Sequence, residues 1–196
     1  MPKIGMEPIR RKALIDAAIA AMSIAGRSTH FAFSILLGIG QGFQPVCGFN
    51  YGAGLHKRVH RAFWFSVKFS TALMSFFGII GYVYAENIVA FFRKDDLEVI
   101  TIGAQVLKYQ CMAFPLLGWS TLCNMMLQTI GQSFRATFLA IARQGFFYLP
   151  LLFTFRKIYG LWGIQICQPT ADLLAFLLSL PLCLGIVSAM GKNNTN

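Results

Sequence analysis

The sequence predicts an all-α membrane protein, a polytopic helix bundle of about five transmembrane helices. Apolar side chains make up 56% of the 196 residues, against about 45–50% in ordinary soluble domains. Charged side chains make up only 12%, and they are gathered into short clusters separated by long, nearly uncharged runs. Each run reaches the roughly 20 apolar residues that a helix needs to cross the hydrocarbon of a bilayer.

The same composition excludes several other classes of protein. One small soluble core cannot cover five long helices that are apolar all round, and disorder requires low hydrophobicity with high charge. Continuous apolar runs exclude a β-barrel, whose strands alternate with period two. A net charge of +10 would favour nucleic-acid binding if the basic residues formed one patch. They are divided among separate clusters, so no nucleic-acid partner is expected.

Five spans are predicted, at residues 16–46, 62–84, 99–130, 134–155 and 161–187. A basic segment, residues 1–15, precedes them, and a polar tail, residues 191–196, follows them. Cleavage of a signal peptide is the alternative interpretation of the start, because basic residues there precede an apolar stretch. Asp16 lies inside that stretch and the apolar pattern continues past Arg27, and both observations argue against cleavage.

The first two spans each contain one Lys or Arg residue and are joined by a glycine-rich connection. Arg27 interrupts the first span, and Lys68 lies near the basic end of the second, where its long stem can reach the headgroups. Residues 48–54 are predicted to leave the first span, and the basic residues 56–61 are predicted to form a loop before the second.

Prolines mark the last three spans. Pro115 predicts a kink in the third span, Pro150 lies in the fourth, and Pro169 and Pro181 lie in the fifth. A turn at residues 131–133 is predicted to follow the third span, and a two-residue turn at residues 159–160 is predicted to separate the fourth span from the fifth.

The basic residues give a weak indication of orientation. One predicted side of the membrane collects Lys57, Arg58, Arg61, Arg135 and Lys192. The other side collects Arg93, Lys94, Arg156 and Lys157. This bias favours the cytoplasm for residues 56–61. The basic N-terminal segment would then face outward, which opposes the bias.

Polar side chains inside the spans are the candidate site residues, because they are costly in a membrane. Asp172, preceded by Gln165 and Gln168, is a candidate carboxylate for a proton, a cation or a cationic substrate. The alternative is an ion pair with another helix, such as one with Arg143. Arginine stays charged at any working pH, so Arg27 and Arg143 cannot carry a coupling proton and are predicted to have structural pairing roles.

A second group of polar residues is uncharged and is predicted to line an aqueous cavity. Its members are Gln41, Gln44, Asn50, Asn124, Gln128 and Gln144. Hydrogen bonding between helices is the alternative for each of them.

Nothing in the sequence predicts an enzyme, a metal site or a bound cofactor. The five cysteines lack C-x-x-C spacing, and no H-E-x-x-H, Ser-His-Asp or paired-carboxylate arrangement is present. Gly38, Gly40 and Gly42 do not form a nucleotide-binding loop, because no strand precedes them and no P-loop lysine follows.

Several motifs together resemble the second half of multidrug and toxic compound extrusion (MATE) transporters. They are GIGQGFQP at 38–45, GFNYGA at 48–53, FRKDD at 92–96, LQTIGQ at 127–132, ARQG at 142–145 and QICQPTAD at 165–172. The likeness covers residues 16–187 and depends on the shared order and spacing of the motifs.

The resemblance implies one part of a twelve-helix fold, in which two six-helix lobes surround a central cleft. Such transporters exchange protons or sodium ions for cationic, amphipathic drugs by alternating access. This chain resembles helices eight to twelve. It is therefore interpreted as a C-terminal fragment of an efflux transporter of the bacterial inner (plasma) membrane, inactive without the missing N-terminal lobe. Its expected partners are the lipid bilayer, that lobe and, in the complete transporter, the drugs.

The resemblance also limits the assignment of a coupling residue. The family's coupling acids lie in the first helix and, in some branches, in the seventh and tenth. The third span, which resembles the tenth helix, contains no carboxylate. Two alternative functions stay open: a flippase of the same superfamily, which would move lipid-linked sugars, and a membrane interaction module without transport activity.

Overall fold

A computed structural model describes residues 6–92 and 96–192, and it confirms the predicted all-α class. Within those ranges no β-strand occurs, and the chain forms seven α-helices and one π-helical segment. In order they are α1 (Met6–Gly52), α2 (His56–Val83), α3 (Ala85–Phe92), α4 (Leu97–Thr129), α5 (Ser133–Ile141), the π segment (Ala142–Phe147), α6 (Tyr148–Tyr159) and α7 (Leu161–Lys192).

Four of the five predicted spans correspond to helical stretches that contain an apolar segment long enough to cross a membrane. In the described part of the chain these stretches are Ala17–Gly52, His56–Val83, Ser133–Tyr159 and Trp162–Met190. The remaining predicted span corresponds to α4, which is long enough, with 33 residues. Polar residues such as Lys108 and Asn124 interrupt its apolar run. Other helices surround α4, so its surface does not have to match lipid.

Helix α1 extends beyond both predicted ends of the first span. It begins at Met6, so part of the predicted basic segment is helical, and it continues through Pro45 to Gly52. Residues 48–52 of the predicted glycine-rich exit therefore form the end of the helix. A proline removes one backbone hydrogen bond, and membrane helices tolerate this loss when neighbouring groups compensate.

The connection between α1 and α2 is only three residues long, at positions 53–55. The basic residues 56–61, predicted as a loop, form the first turns of α2 instead. Backbone bonds close this tight connection, with the Leu55 amide donating to the Asn50 carbonyl at 2.8 Å. The tight connection places the end of α1 beside the beginning of α2.

Helix α4 is the centre of the bundle, and about half of its 33 residues are buried. One apolar cluster joins Met126 of α4 to Phe63 of α2 and Cys183 of α7. A second cluster joins Leu107 of α4 to Leu36 of α1. Because α4 contacts helices on several sides, it fixes where the others lie.

Two glycines allow α2 and α4 to pack closely. A Cβ atom at Gly78 would lie 2.9 Å from the carbonyl oxygen of Cys111. A Cβ atom at Gly118 would lie 3.2 Å from the backbone of Thr71. Small residues at such crossings let membrane helices approach and gain dispersion energy.

A short helix that the sequence did not predict, α3, lies where α2 ends and α4 begins. Its Glu86 pairs with Lys108 of α4 at 3.0 Å, and both groups are exposed enough to be solvated. Asp96 caps α4 by accepting from the Val99 amide at 3.4 Å.

The predicted turns at residues 131–133 and 159–160 are present in part. Gly131, with φ of +81°, follows α4, and Gly160, with φ of +59°, separates α6 from α7. Both values lie in the left-handed region that glycine adopts without steric cost. Helix α7 runs to Lys192, and residues 193–196 of the predicted tail lie outside the described residues, as do residues 1–5.

Candidate functional site

The fourth predicted span is interrupted at its middle by a π-helical segment. Six residues, Ala142–Phe147, separate α5 from α6. The segment contains Arg143 and Gln144, two of the polar residues that the sequence singled out. Short π segments inside α-helices are rare and are found frequently at functional sites. The π segment therefore indicates a candidate functional site in this part of the bundle.

Arg143 forms a buried ion pair with Asp172 of α7. Its Nε donates to Asp172 Oδ1 at 2.8 Å, and Asp172 is only 4% exposed. Gln168, one turn earlier on α7, also interacts with this carboxylate. The guanidinium carbon of Arg143 lies 5.4 Å from the ring centroid of Phe33 on α1, within the range of a cation–π contact. The interhelical pair predicted as the structural alternative for Asp172 is thus present.

A cavity of about 250 Å³ lies beside this ion pair, between α1, α4, α7 and the broken helix, which comprises α5, the π segment and α6. Its polar lining consists of Ser120, Thr121, Asn124, Gln128, Arg143 and Gln144. Its apolar lining consists of Phe33, Leu37, Met125, Leu139, Ala140 and Ala175. The structure therefore brings together three of the six residues that the sequence proposed for an aqueous cavity.

Hydrogen bonds hold some of the polar side chains that line this cavity, while one buried hydroxyl has no hydrogen-bond partner among the described residues. Gln128 Nε2 donates to Asn124 Oδ1 at 2.6 Å, and Asn124 Nδ2 donates to the Ala136 carbonyl at 3.4 Å. Thr121 is 7% exposed, and its Oγ1 has no hydrogen-bond partner among the described residues. A buried hydroxyl without a partner is costly. A bound molecule or ion in the cavity would satisfy it.

Four other predicted residues lie apart from the cavity. Gln41 is exposed on α1, and Gln44 on the same helix is partly buried. Arg27 is also exposed, and no ion pair joins it to another described side chain. Gln165 is buried on α7, and its Oε1 has no partner in the described part of the chain. None of these four residues lines the cavity.

Sequence reasoning missed Thr121, Met125 and Phe33. A signal for Thr121 was present, because Thr121, Asn124 and Gln128 are spaced three and four residues apart and so share one face of α4. Nothing comparable marks Phe33 among the many phenylalanines of the chain. It joins the cavity because α1 packs against α4.

Apart from Arg143, whose charge is paired with Asp172, the cavity presents an uncharged polar surface with aromatic and thioether groups beside it. The sequence has no Asp or Glu between residues 99 and 171, and Asp172 is already paired with Arg143. Amide and hydroxyl oxygens can accept hydrogen bonds or ligate a cation, while Phe33 and Met125 offer polarisable surface to an apolar body. Such a wall suits a molecule that is partly polar and partly apolar.

Comparison with protein families and curated proteins gives consistent matches. The family model MatE matches residues 13–154. The multidrug export protein MepA of Staphylococcus aureus (strain MSSA476) is 29% identical over 173 residues, covering 82% of this chain and 37% of MepA. MepA of Staphylococcus haemolyticus (strain JCSC1435) is 26% identical over 165 residues, covering 82% of this chain and 36% of that protein. The chain thus spans just over a third of the length of these relatives.

Solved structures with the same fold include several transporters. One is an inward-facing multidrug resistance MATE family transporter of the MOP superfamily, with TM-score 0.82 and 18% identity, covering 93% of this chain and 44% of that chain. Another is the Vibrio cholerae MATE transporter VcmN in its bent form, with TM-score 0.81 and 20% identity, covering 95% of this chain and 43% of that chain. At these identities the likeness establishes the fold alone.

Proposed function

Since the chain belongs to the MatE family, we propose that it supplies helices of one lobe of a multidrug efflux transporter. The proposed activity is antiport, in which protons or sodium ions enter as cationic, amphipathic drugs leave. The chain is a multi-pass membrane protein, and we place it in the plasma membrane, as the inner membrane of a bacterium. Its similarity to proteins named for multidrug export supports the substrate class.

The polar cavity beside the π segment is the observation in this chain that carries the proposal. It combines an unpartnered buried hydroxyl, Thr121, with the amides of Asn124 and Gln128 and with the ring of Phe33. A flat organic cation presents both a charge and apolar rings, so it can use the oxygens and the aromatic face together. We therefore propose that this cavity forms part of the drug- or ion-facing surface.

We assign the Arg143–Asp172 pair a structural role rather than the coupling role. Each group already has an opposite charge at hydrogen-bond distance. Binding a proton or a cation at Asp172 would leave a buried arginine without its partner, which is strongly unfavourable. The coupling acid of the proposed transporter therefore lies in another helix.

Transport is proposed to require a second lobe, on the same polypeptide or on another one. Alternating access depends on the rocking of one helical lobe against another around a shared site. The described helices provide one wall of such a site. The chain also spans only 37% of the length of MepA, in agreement with a contribution of one lobe.

A chimera tests this proposal. Residues 17–192 would replace the corresponding segment of Staphylococcus aureus MepA, and ethidium efflux would be measured in a pump-deficient bacterial strain. The chimera is expected to export ethidium, whereas the chain alone is not. Asn124→Leu, which removes an amide from the cavity, is expected to slow export by about tenfold or more. Gln41→Leu, an exposed change on α1, is the matched control.

Two results would contradict the proposal. A chimera that reaches the membrane at normal levels, folded but without efflux, would argue against a drug-exporting lobe. Efflux by the chain alone would contradict the requirement for a second lobe.

A further inference from the structure

A second cavity, of about 600 Å³, lies at the end of the bundle where α1 and α7 end and α2 and α5 begin. Tyr51, His56 and Arg135 form its polar side. The other side consists of six residues of α7 between Pro181 and Met190, and these are almost all apolar. The cavity is separate from the site described above, and none of its lining residues is shared with that site.

The end of the bundle that holds this cavity has basic residues and no acidic ones in its sequence. No Asp or Glu occurs at residues 17–85, 99–171 or 173–196, which include every segment that forms this end. Arg58 and Arg61, in the first turns of α2, are exposed and add to the charge of Arg135. The local potential is therefore positive, with no carboxylate nearby in the chain to neutralise it.

Backbone groups add to this potential. Helices α2 and α5 both begin here, and neither has a side-chain cap on its first turn, because Leu55 and Gln132 make no capping hydrogen bond. The dipole at the start of each helix favours an anion there. His56 Nδ1 is shielded from solvent without a hydrogen-bond partner among the described residues. Its ring is in edge contact with Tyr51, with centroids 5.3 Å apart.

We propose that this cavity binds an anionic phospholipid. Arg135 and His56 hold the phosphate of the headgroup, and the apolar face of α7 accommodates the beginning of an acyl chain. Basic pockets between membrane helices bind anionic headgroups in this manner, and arginine binds phosphate through paired hydrogen bonds. A free phosphate ion would use the basic side only and leave the apolar side uncovered. The proposal does not depend on the proposed transport activity.

The experiment uses the full chain, purified in a zwitterionic detergent and titrated with short-chain phosphatidylglycerol. Native mass spectrometry measures the bound fraction, and phosphatidylcholine of equal chain length serves as the uncharged comparison. Arg135→Gln is expected to weaken phosphatidylglycerol binding by about tenfold or more, because it removes the charge that faces the phosphate. Arg58→Gln, an exposed arginine outside the cavity, is expected to change the affinity by less than about twofold.

A second variant tests the apolar side. Gly185 lines the cavity, and a Cβ atom there would meet nothing within 4 Å. Gly185→Phe is therefore expected to fill the cavity without disturbing the helix, and to weaken phosphatidylglycerol binding as strongly as Arg135→Gln does. Thermal melting of each variant confirms that the bundle is folded.

Three outcomes would overturn the proposal. Equal weakening by Arg58→Gln and Arg135→Gln would show general surface attraction. Equal affinity for phosphatidylcholine would show that the headgroup charge is irrelevant. Displacement of the lipid by an equal concentration of inorganic phosphate would assign the basic side to a free anion.

Discussion

The central helix α4 and the broken helix, which comprises α5, the π segment and α6, are held in the bundle by different forces. About half of α4 is buried, and Gly78 of α2 and Gly118 of α4 bring the two backbones into close contact. By contrast, α6 has no fully buried residue in the described chain, and α5 has only Ala136 and Leu139. The broken helix is held by the pair Arg143–Asp172 and by close packing of α6 on α7.

Apolar packing therefore holds the α4 wall of the cavity, whereas the wall formed by the broken helix depends more on charge. α4 cannot shift without disturbing two apolar clusters, whereas the broken helix buries few residues and is attached by the Arg143–Asp172 ion pair, by the hydrogen bond from Asn124 to the Ala136 carbonyl and by packing of α6 on α7. A cavity between a tightly packed wall and a wall with few buried residues can change its width when the ion pair is broken. Substitutions can test the ion pair and the apolar packing separately.

The largest effect is expected from Asp172→Asn. It leaves the Arg143 guanidinium partly buried without its counter-charge, and breaking such a pair costs about 3–5 kcal/mol. The free energy of unfolding of the purified chain in detergent micelles would measure this loss.

The double variant Arg143→Gln with Asp172→Asn is the control for that prediction. Removing both charges leaves no unpaired ion, so the double variant is expected to recover most of the stability lost in the single variant. If the two variants were equally unstable, the broken helix would be held by something other than the ion pair.

Gly78→Ala is expected to have the next largest effect, on the attachment of α2 to α4. The added Cβ would lie 2.9 Å from a backbone oxygen that cannot move independently. Overpacking of this kind costs about 1–3 kcal/mol. Thermal unfolding would report it as a lower Tm.

Gly42→Ala is the matched control, because a Cβ there meets nothing within 4 Å on the exposed side of α1. Its Tm is expected to stay the same or to rise, since alanine favours a helix more than glycine does. Equal destabilisation by the two alanines would mean that the α2–α4 approach is not a close one.

Ser179→Ala is expected to weaken the contact between α7 and α4 by about 1 kcal/mol. Trp119 Nε1 donates to Ser179 Oγ at 3.0 Å, and both residues are buried. Ser75→Ala serves as a control, because Ser75 bonds only to the Thr71 carbonyl of its own helix. A shift in tryptophan fluorescence with Ser179→Ala but not with Ser75→Ala is expected, and identical spectra would refute the contact.

The smallest effect is expected from Glu86→Gln. Glu86 and Lys108 form an exposed pair at 3.0 Å, and exposed pairs contribute at most about 1 kcal/mol. The free energy of unfolding should change little at either low or high salt. A loss above about 2 kcal/mol would show that α3 depends on this pair more than its exposure suggests.

The sequence contained enough information to predict the helices but not their rotations. Long apolar runs predict spans, and glycines at 131 and 160 predict turns, because both depend on local composition. Gln41 and Asn124 looked equivalent in the sequence, since each is an amide inside an apolar run. Only the packing of one helix on another decides that Asn124 lines the cavity and Gln41 does not.

The π segment and the central place of α4 were also beyond prediction. A π turn differs from an α turn in its backbone hydrogen bonds, which hydropathy does not encode. The polar residues that interrupt α4 weaken its signal as a span, although burial inside the bundle is the physical reason that they are tolerated. The Arg143–Asp172 pair was foreseen as one of two alternatives because opposite charges inside a membrane favour pairing.

The π segment at residues 142–147 changes the rotational phase of α6 relative to α5. Each turn of π-helix holds about one residue more than a turn of α-helix, and one residue corresponds to about 100° of rotation. Side chains of α6 therefore point in directions offset from those that would be extrapolated from α5. Deleting a single residue here would bring α5 and α6 into the same α-helical phase. The exposed side of α6 would then turn toward the neighbouring helices.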